Sequence, residues 1–109
     1  MAYDEGLAQR IEEILGSHSG MSEQKMFGGI GYLLNGNMAV GVHGESLIVR
    51  VGPEKHATAR TNPYTKEFDF TGRAMKGWVM VSPEGIQEDE DLNTWVSLGT
   101  EFAESLPPK

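Results

Sequence analysis

The chain has 109 residues, 39% of them hydrophobic and 23% charged, which is the composition of a single globular domain rather than of a disordered chain. Sixteen acidic residues against nine Lys and Arg give a formal net charge of −7, which argues against free-standing binding of DNA or RNA. Because cysteine is absent, disulfide scaffolds, thiolate zinc sites and cysteine nucleophiles are excluded, and we expect a cytoplasmic protein.

The first predicted element is an amphipathic helix over residues 4–15. The residues that share its apolar face are Leu7, Ile11, Ile14 and Leu15. Asp4 is placed to cap the start of the helix, and Gly16 follows its last turn, where a glycine is common. The polar start of the chain predicts no signal peptide, and no apolar run approaches the ~20 residues that span a bilayer.

Residues 25–50 predict a meander of at least three antiparallel strands, because apolar residues alternate along three segments. Asn35-Gly36 separates the first two segments, and this pair is typical of a type I′ hairpin turn. Gly44 marks a second turn before the third segment. After the meander, Pro53 is placed at the first position of a predicted short helix, which Pro63 ends.

Two further strands are predicted over residues 67–70 and 75–81, and a long amphipathic helix over residues 89–106. Gly99 lies in the middle of this helix at a cost of about 1 kcal/mol relative to Ala, and we interpret it as a point of close packing on the sheet. The predicted order is α-β(3)-α-β(2)-α in one domain over residues 1–109. This is an α+β two-layer sandwich, in which helices cover a mostly antiparallel sheet.

The patterns that usually carry catalysis or cofactor binding are missing from the sequence. His18, His43 and His56 lack metal-ligand spacing, and the glycine-rich residues 28–31 match no nucleotide-binding loop. No GxSxG motif is present, and the acidic runs are typical of solvated helix surfaces. We therefore predict no catalytic residue, no metal and no cofactor.

Three cations lie inside apolar β segments, next to methionine and aromatic residues. The residues of this candidate partner or ligand surface are Lys25, Met26, Phe27, Arg50, Lys76 and Trp78. One interpretation is that the cations protect sheet edges and keep the protein soluble. The other is that they line a groove, because Met, aromatic residues and Arg are common at protein interfaces.

The same residues carry a resemblance to a known family. The segments concerned are KMFGG at residues 25–29, NGNM at 35–38, LIVRVG at 47–52, MKGWV at 75–79 and LPPK at 106–109. In this order they resemble the TfoX N-terminal domain family over nearly the whole chain. The resemblance implies a two-layer fold similar to type III secretion chaperones, and it implies no catalytic residue. The founding members carry a second, C-terminal domain and regulate natural competence together with the cyclic-AMP receptor protein.

Three hypotheses about function follow. The first, which we favour, is a stand-alone, non-catalytic regulatory module that binds a protein partner or a second copy, with a link to transcription or competence. The second is a small-molecule or anion-binding domain, including an uncharacterised enzyme, because three cations lie near a glycine-rich strand. The third is direct nucleic-acid binding, which the net charge opposes. No contact with a membrane is expected.

Overall fold

The structure is a computed structural model that describes residues 3–16, 18–26, 28–69 and 74–108, except the side chains of Met26 and Ala74. The helices are α1 (Glu5–Leu15), α2 (His56–Ala59) and α3 (Asp89–Glu104), with a short 3-10 helix at Pro83–Ile86. The strands are β1 (Met21–Met26), β2 (Gly29–Leu34), β3 (Asn37–His43), β4 (Ser46–Arg50), β5 (Thr65–Asp69) and β6 (Ala74–Val81).

The strands form one six-stranded antiparallel sheet in the order β1-β2-β3-β4-β6-β5. This confirms the predicted α+β fold and adds one strand to the first β segment, which contains four. Asn35 and Gly36 have φ angles of 53° and 87°, as the predicted type I′ turn requires. In antiparallel pairs, the side chains of two residues directly opposite each other lie on the same face of the sheet.

All the helices pack on one face of the sheet, which we call the covered face. Tyr32, Val40, Val49 and Val79 point into it and are fully buried. The helical residues of the same core are Leu7, Ala8, Ile11 and Leu15 of α1, Ala59 of α2, Ile86 of the 3-10 helix, and Leu92, Trp95 and Val96 of α3. The opposite face, which we call the open face, carries no helix of the described residues.

Two of the predicted helix ends match the structure and one differs. Asp4 Oδ1 accepts hydrogen bonds from the N–H groups of Gly6 and Leu7, which confirms the predicted cap of α1. Gly16 follows Leu15, the last residue of α1, as predicted, and its backbone is right-handed, with φ −59°. The prediction of a helix starting at Pro53 is wrong, because α2 begins at His56.

A long-range contact explains this later start of α2. The carbonyl oxygen of Gly77 in β6 accepts hydrogen bonds from the N–H groups of Val51 and Gly52, at 2.8 and 3.0 Å. These bonds hold the chain against β6 up to residue 52. A turn over residues 53–55 is then needed before the backbone can enter a helix.

Tyr32 connects the sheet to α1 through a buried hydroxyl group. The hydroxyl donates to Glu12 Oε2 at 2.8 Å and lies 3.2 Å from the carbonyl oxygen of Ala8. Burial, together with the hydrogen bond and negative charge of Glu12, raises the pKa of Tyr32 above its ordinary value of about 10. The folded protein therefore holds this proton at a pH where the unfolded chain has lost it.

This proton makes the stability pH-dependent in alkali, and the variant Tyr32→Phe tests it. Above pH ~10 the unfolded chain releases the proton and the folded chain keeps it, so wild type loses about 1.4 kcal/mol of stability per pH unit relative to the variant. Below that pH the variant is less stable by about 1 kcal/mol, because one hydrogen bond is lost. Urea unfolding at several pH values from 8 to 11 measures both effects. Parallel pH profiles for the two proteins would contradict the prediction.

Candidate functional site

The open face carries a small apolar cluster of its own. Ile48, Phe68 and Met80 are 4%, 4% and 9% exposed, and the half-buried ring of Trp78 packs against them. The Phe68 and Trp78 rings lie 6.1 Å apart at 45°, a tilted arrangement that is favourable for aromatic pairs. Three strands, β4, β6 and β5, supply these side chains, so the cluster exists only when the sheet is assembled.

A pocket of about 100 Å³ opens beside this cluster, and we call it the Trp78 pocket. Its lining residues are Ile30, Met38, Val42, His43, Ile48, Phe68, Met75 and Trp78. Gly31 and Gly41 are paired across β2 and β3 and add no side chains to the open face. The volume equals that of about three water molecules at about 30 Å³ each. The apolar lining favours one aliphatic or aromatic side chain over water.

Arg50 lies next to Trp78, one of the residues that line this pocket, and its guanidinium contacts two aromatic rings. It is paired with Trp78 across β4 and β6, and its guanidinium carbon lies 5.3 Å from the centroid of the Trp78 ring. The Phe102 ring of α3 is at the same distance, 5.3 Å. Such cation–π contacts restrain the guanidinium, whose N–H groups are hydrogen-bond donors.

Within the described part of the chain, Arg50 forms neither an ion pair nor a hydrogen bond with a carboxylate. Two other arginines behave differently, because Arg10 pairs with Asp89 at 3.2 Å and Arg60 pairs with Glu67 at 3.1 Å. None of the 16 carboxylates of the chain lies in the four central strands β2, β3, β4 and β6. These four strands therefore bring no carboxylate to the Trp78 pocket, whereas Asp69 of β5 follows the lining residue Phe68. Arg50 has no ion-pair partner among the described residues.

A polar cluster behind β6 positions Trp78. Gly77 forms a bulge with φ 91°, and its N–H donates to Nδ1 of His56 at 3.1 Å. Because Nδ1 accepts this bond, Nε2 carries the ring proton and donates to Glu67 at 2.9 Å. Arg60 binds the other oxygen of that carboxylate at 3.1 Å. These bonds connect α2, β5 and the bulge. They hold the backbone next to Trp78 and so help to orient its side chain.

The structure brings together only part of the predicted surface. Arg50 and Trp78 are in contact, and Lys76 is exposed two residues before Trp78 in β6. Lys25 is exposed in β1 but is paired with Ile30, which places it toward the covered face and three strands from Arg50, about 14 Å at the usual strand spacing. Phe27 and the Met26 side chain lie outside what the structure describes.

Sequence reasoning missed several members of the site. The pattern of residues 89–106 indicates only that Phe102 lies on an amphipathic helix, and the strand patterns do not distinguish Phe68, Ile48 and Met80 from other strand residues. A signal was present in β4 and β6, because both strands are apolar at outward as well as inward positions. A strand that is apolar on both faces is typically covered on both faces.

The described residues hold no group of three or more His, Cys, Asp or Glu side chains that could bind a metal ion. None of the helices within the described ranges has the length and apolar character needed to cross a membrane.

Comparison with known proteins identifies a family model that covers most of the chain. Residues 13–103 match the family model of the TfoX N-terminal domain. The matched range contains all six strands, and it includes Arg50, Trp78 and Phe102. No curated protein and no solved structure matches the chain.

Proposed function

The chain belongs to the TfoX N-terminal domain family, and we propose that it is a non-catalytic regulatory module of the cytoplasm that binds a protein partner through its open face. The observation that carries this proposal is the apolar Trp78 pocket, with Arg50 next to Trp78, on a sheet face that no described helix covers. The resemblance to competence regulators supports a role in the control of transcription.

The size and composition of the site favour a protein over a small molecule. Pockets for metabolites and cofactors usually measure about 300–1,000 Å³, whereas the Trp78 pocket measures about 100 Å³. Trp and Arg are the residues that most often dominate protein-binding energy, and Met is common at adaptable interfaces. Trp78, Arg50 and Met75 lie together on the open face, with Met75 36% exposed. The open face therefore has the composition of a protein-binding hot spot.

Site-specific photo-crosslinking in the native host tests this surface. A photoreactive residue replaces Lys66, which is exposed in β5 and paired with Met80 of the open-face cluster, or Glu90, which is exposed on α3. We expect a discrete protein adduct from position 66 and none from position 90. Arg50→Glu and Trp78→Ala lower the yield at position 66 by about tenfold, the effect of losing a hot-spot contact of about 1.4 kcal/mol.

The matched control is Arg10→Glu, which makes the same charge change on the helix side of the molecule. Its exposed ion pair with Asp89 contributes little to stability, so the adduct yield at position 66 stays at the wild-type level. Equal adducts from positions 66 and 90, or a yield that Arg50→Glu and Trp78→Ala leave unchanged, would contradict the proposed surface. The regulatory part is tested by transcript profiles, where Arg50→Glu reproduces the deletion strain and Arg10→Glu does not. Identical profiles for the deletion strain and wild type would contradict it.

A further inference from the structure

We infer that the partner segment presents an aliphatic or aromatic side chain within two residues of a carboxylate. The apolar side chain enters the Trp78 pocket, and the carboxylate pairs with Arg50. This inference rests on the proposed function, because it names the chemistry of the partner at the same face.

The position of Arg50 supports the inference that the partner segment carries a carboxylate. Its guanidinium lies 5.3 Å from the ring centroids of both Trp78 and Phe102, so its orientation is set before a partner arrives. A guanidinium carries its N–H groups in one plane, which is the geometry of a two-bond pair with a carboxylate. Because the side chain is already ordered, little of its rotamer entropy remains to be lost on binding. The face is therefore built to recognise a planar anionic group.

The distribution of charge over the chain also favours a negatively charged partner segment. The four central strands contain Arg50 and Lys76 and no Asp or Glu, in a chain whose net charge is −7. A basic segment would be drawn instead to the acidic start of α3, where Asp89, Glu90 and Asp91 are exposed. An acidic segment is repelled from that region and finds its opposite charge at the open face.

Trp78 separates the pocket for the apolar side chain from the site of the carboxylate at Arg50, and this sets the spacing of the two groups along the partner segment. Trp78 lines the pocket and also contacts the guanidinium of Arg50, so the two subsites are separated by little more than one indole ring. An extended peptide advances about 3.3 Å per residue, so a carboxylate within two residues of the apolar side chain can reach Arg50.

Among the described residues, a second copy of the chain offers no such segment with an exposed large hydrophobic side chain. The exposed large hydrophobic residues of that part of the chain are Tyr64 and Met75. Asp and Glu are absent from the two positions on either side of each. The occupant is therefore a different protein with an acidic, apolar segment.

Selection from a library of random 12-residue peptides against the immobilised full chain tests this inference. We expect the peptides enriched on wild type, and lost on Trp78→Ala, to carry Asp or Glu within two residues of Leu, Ile, Met or Phe. The best peptide is then synthesised in its acidic form and with the acid replaced by its amide. Wild type binds the acidic form at least tenfold more tightly, as titration followed by calorimetry will show.

Variants of Arg50 assign this preference to its guanidinium. Arg50→Gln binds the acidic and amide peptides within about twofold of each other, and Arg50→Lys retains part of the preference, because it keeps the charge and loses the planar fork. Arg10→Gln, on the helix side of the molecule, removes a charge in the same way and keeps the wild-type preference. Circular dichroism at the assay temperature confirms that each variant is folded.

The outcomes separate this inference from the proposed function. Neutral or basic motifs that still depend on Trp78, or an acid-to-amide change that costs less than twofold on wild type, would overturn the inferred chemistry and leave protein binding at the open face intact. The proposed function itself is contradicted by a different result, namely that photo-crosslinking in the native host gives no adduct at position 66. A host adduct that consists of two copies of this chain would overturn the inferred partner class.

Discussion

Replacing Phe68 with Ala is expected to lower the free energy of unfolding by about 3 kcal/mol, although Phe68 lies on the face without a helix. Its side chain is only 4% exposed, and it packs with Ile48, Met80 and the Trp78 ring. Truncating a buried Phe to Ala costs about 3–5 kcal/mol, and the lower end applies where solvent can enter the space that is left. Urea unfolding followed by circular dichroism measures the change.

The matched control is Lys66→Ala on the same strand and face. Lys66 is exposed, so its truncation changes the stability by less than about 0.5 kcal/mol. A Phe68→Ala variant within 1 kcal/mol of wild type would show that Phe68 is not buried and that the open face has no cluster. The expected loss means that the Trp78 pocket is part of a packed structure that exists before any partner binds.

Much of the fold follows from local patterns in the sequence. The Asn35-Gly36 turn, the alternation of β3 and β4 and the apolar stripe of α3 together predict an antiparallel sheet covered by helices. The first strand does not follow from such a pattern. Residues 22–25 are polar and exposed, because β1 is an edge strand that pairs only with β2. With no buried face of its own, its position is defined by the register Lys25↔Ile30 and not by hydrophobic periodicity.

The candidate site was predictable only in part for a related reason. Arg50 and Trp78 both stood out as polar or aromatic residues within apolar strands, and the pairing of β4 with β6 brings them into contact. Lys25 meets the same criterion, but the predicted meander begins at residue 25 and does not separate β1 from β2. The sequence therefore does not indicate that Lys25 is oriented toward the covered face. Phe102 is 52 positions after Arg50 in the chain, and its contact depends on how α3 is rotated on the sheet. Local periodicity does not determine that rotation.

Replacing Gly99 with Ala is expected to lower the free energy of unfolding by about 2 kcal/mol, even though Ala is the better helix former. A Cβ atom at Gly99 would lie 2.5 Å from the carbonyl oxygen of Ala39 and 2.7 Å from Cγ1 of Val40. The structure thus confirms the interpretation of Gly99 as a point of close packing. Relief requires α3 to move away from β3, because the closest contact is with backbone, so we take the upper end, about 3 kcal/mol, of the usual cost of overpacking. A helix-propensity gain of about 1 kcal/mol then leaves a net loss of about 2 kcal/mol. Thermal and urea unfolding measure the net loss.

The control for this prediction is Ser97→Ala, two residues earlier on an exposed position of the same helix. That substitution adds only helix propensity, so it raises the stability by a few tenths of a kcal/mol, and the two changes have opposite signs. If Gly99→Ala is also stabilising, α3 does not approach β3 as closely as the structure shows. The same contact connects the fold to the site, since Phe102 is less than one turn from Gly99 and holds the guanidinium of Arg50. A shift of α3 moves the Phe102 ring and therefore also weakens the preference of Arg50 for the acidic peptide.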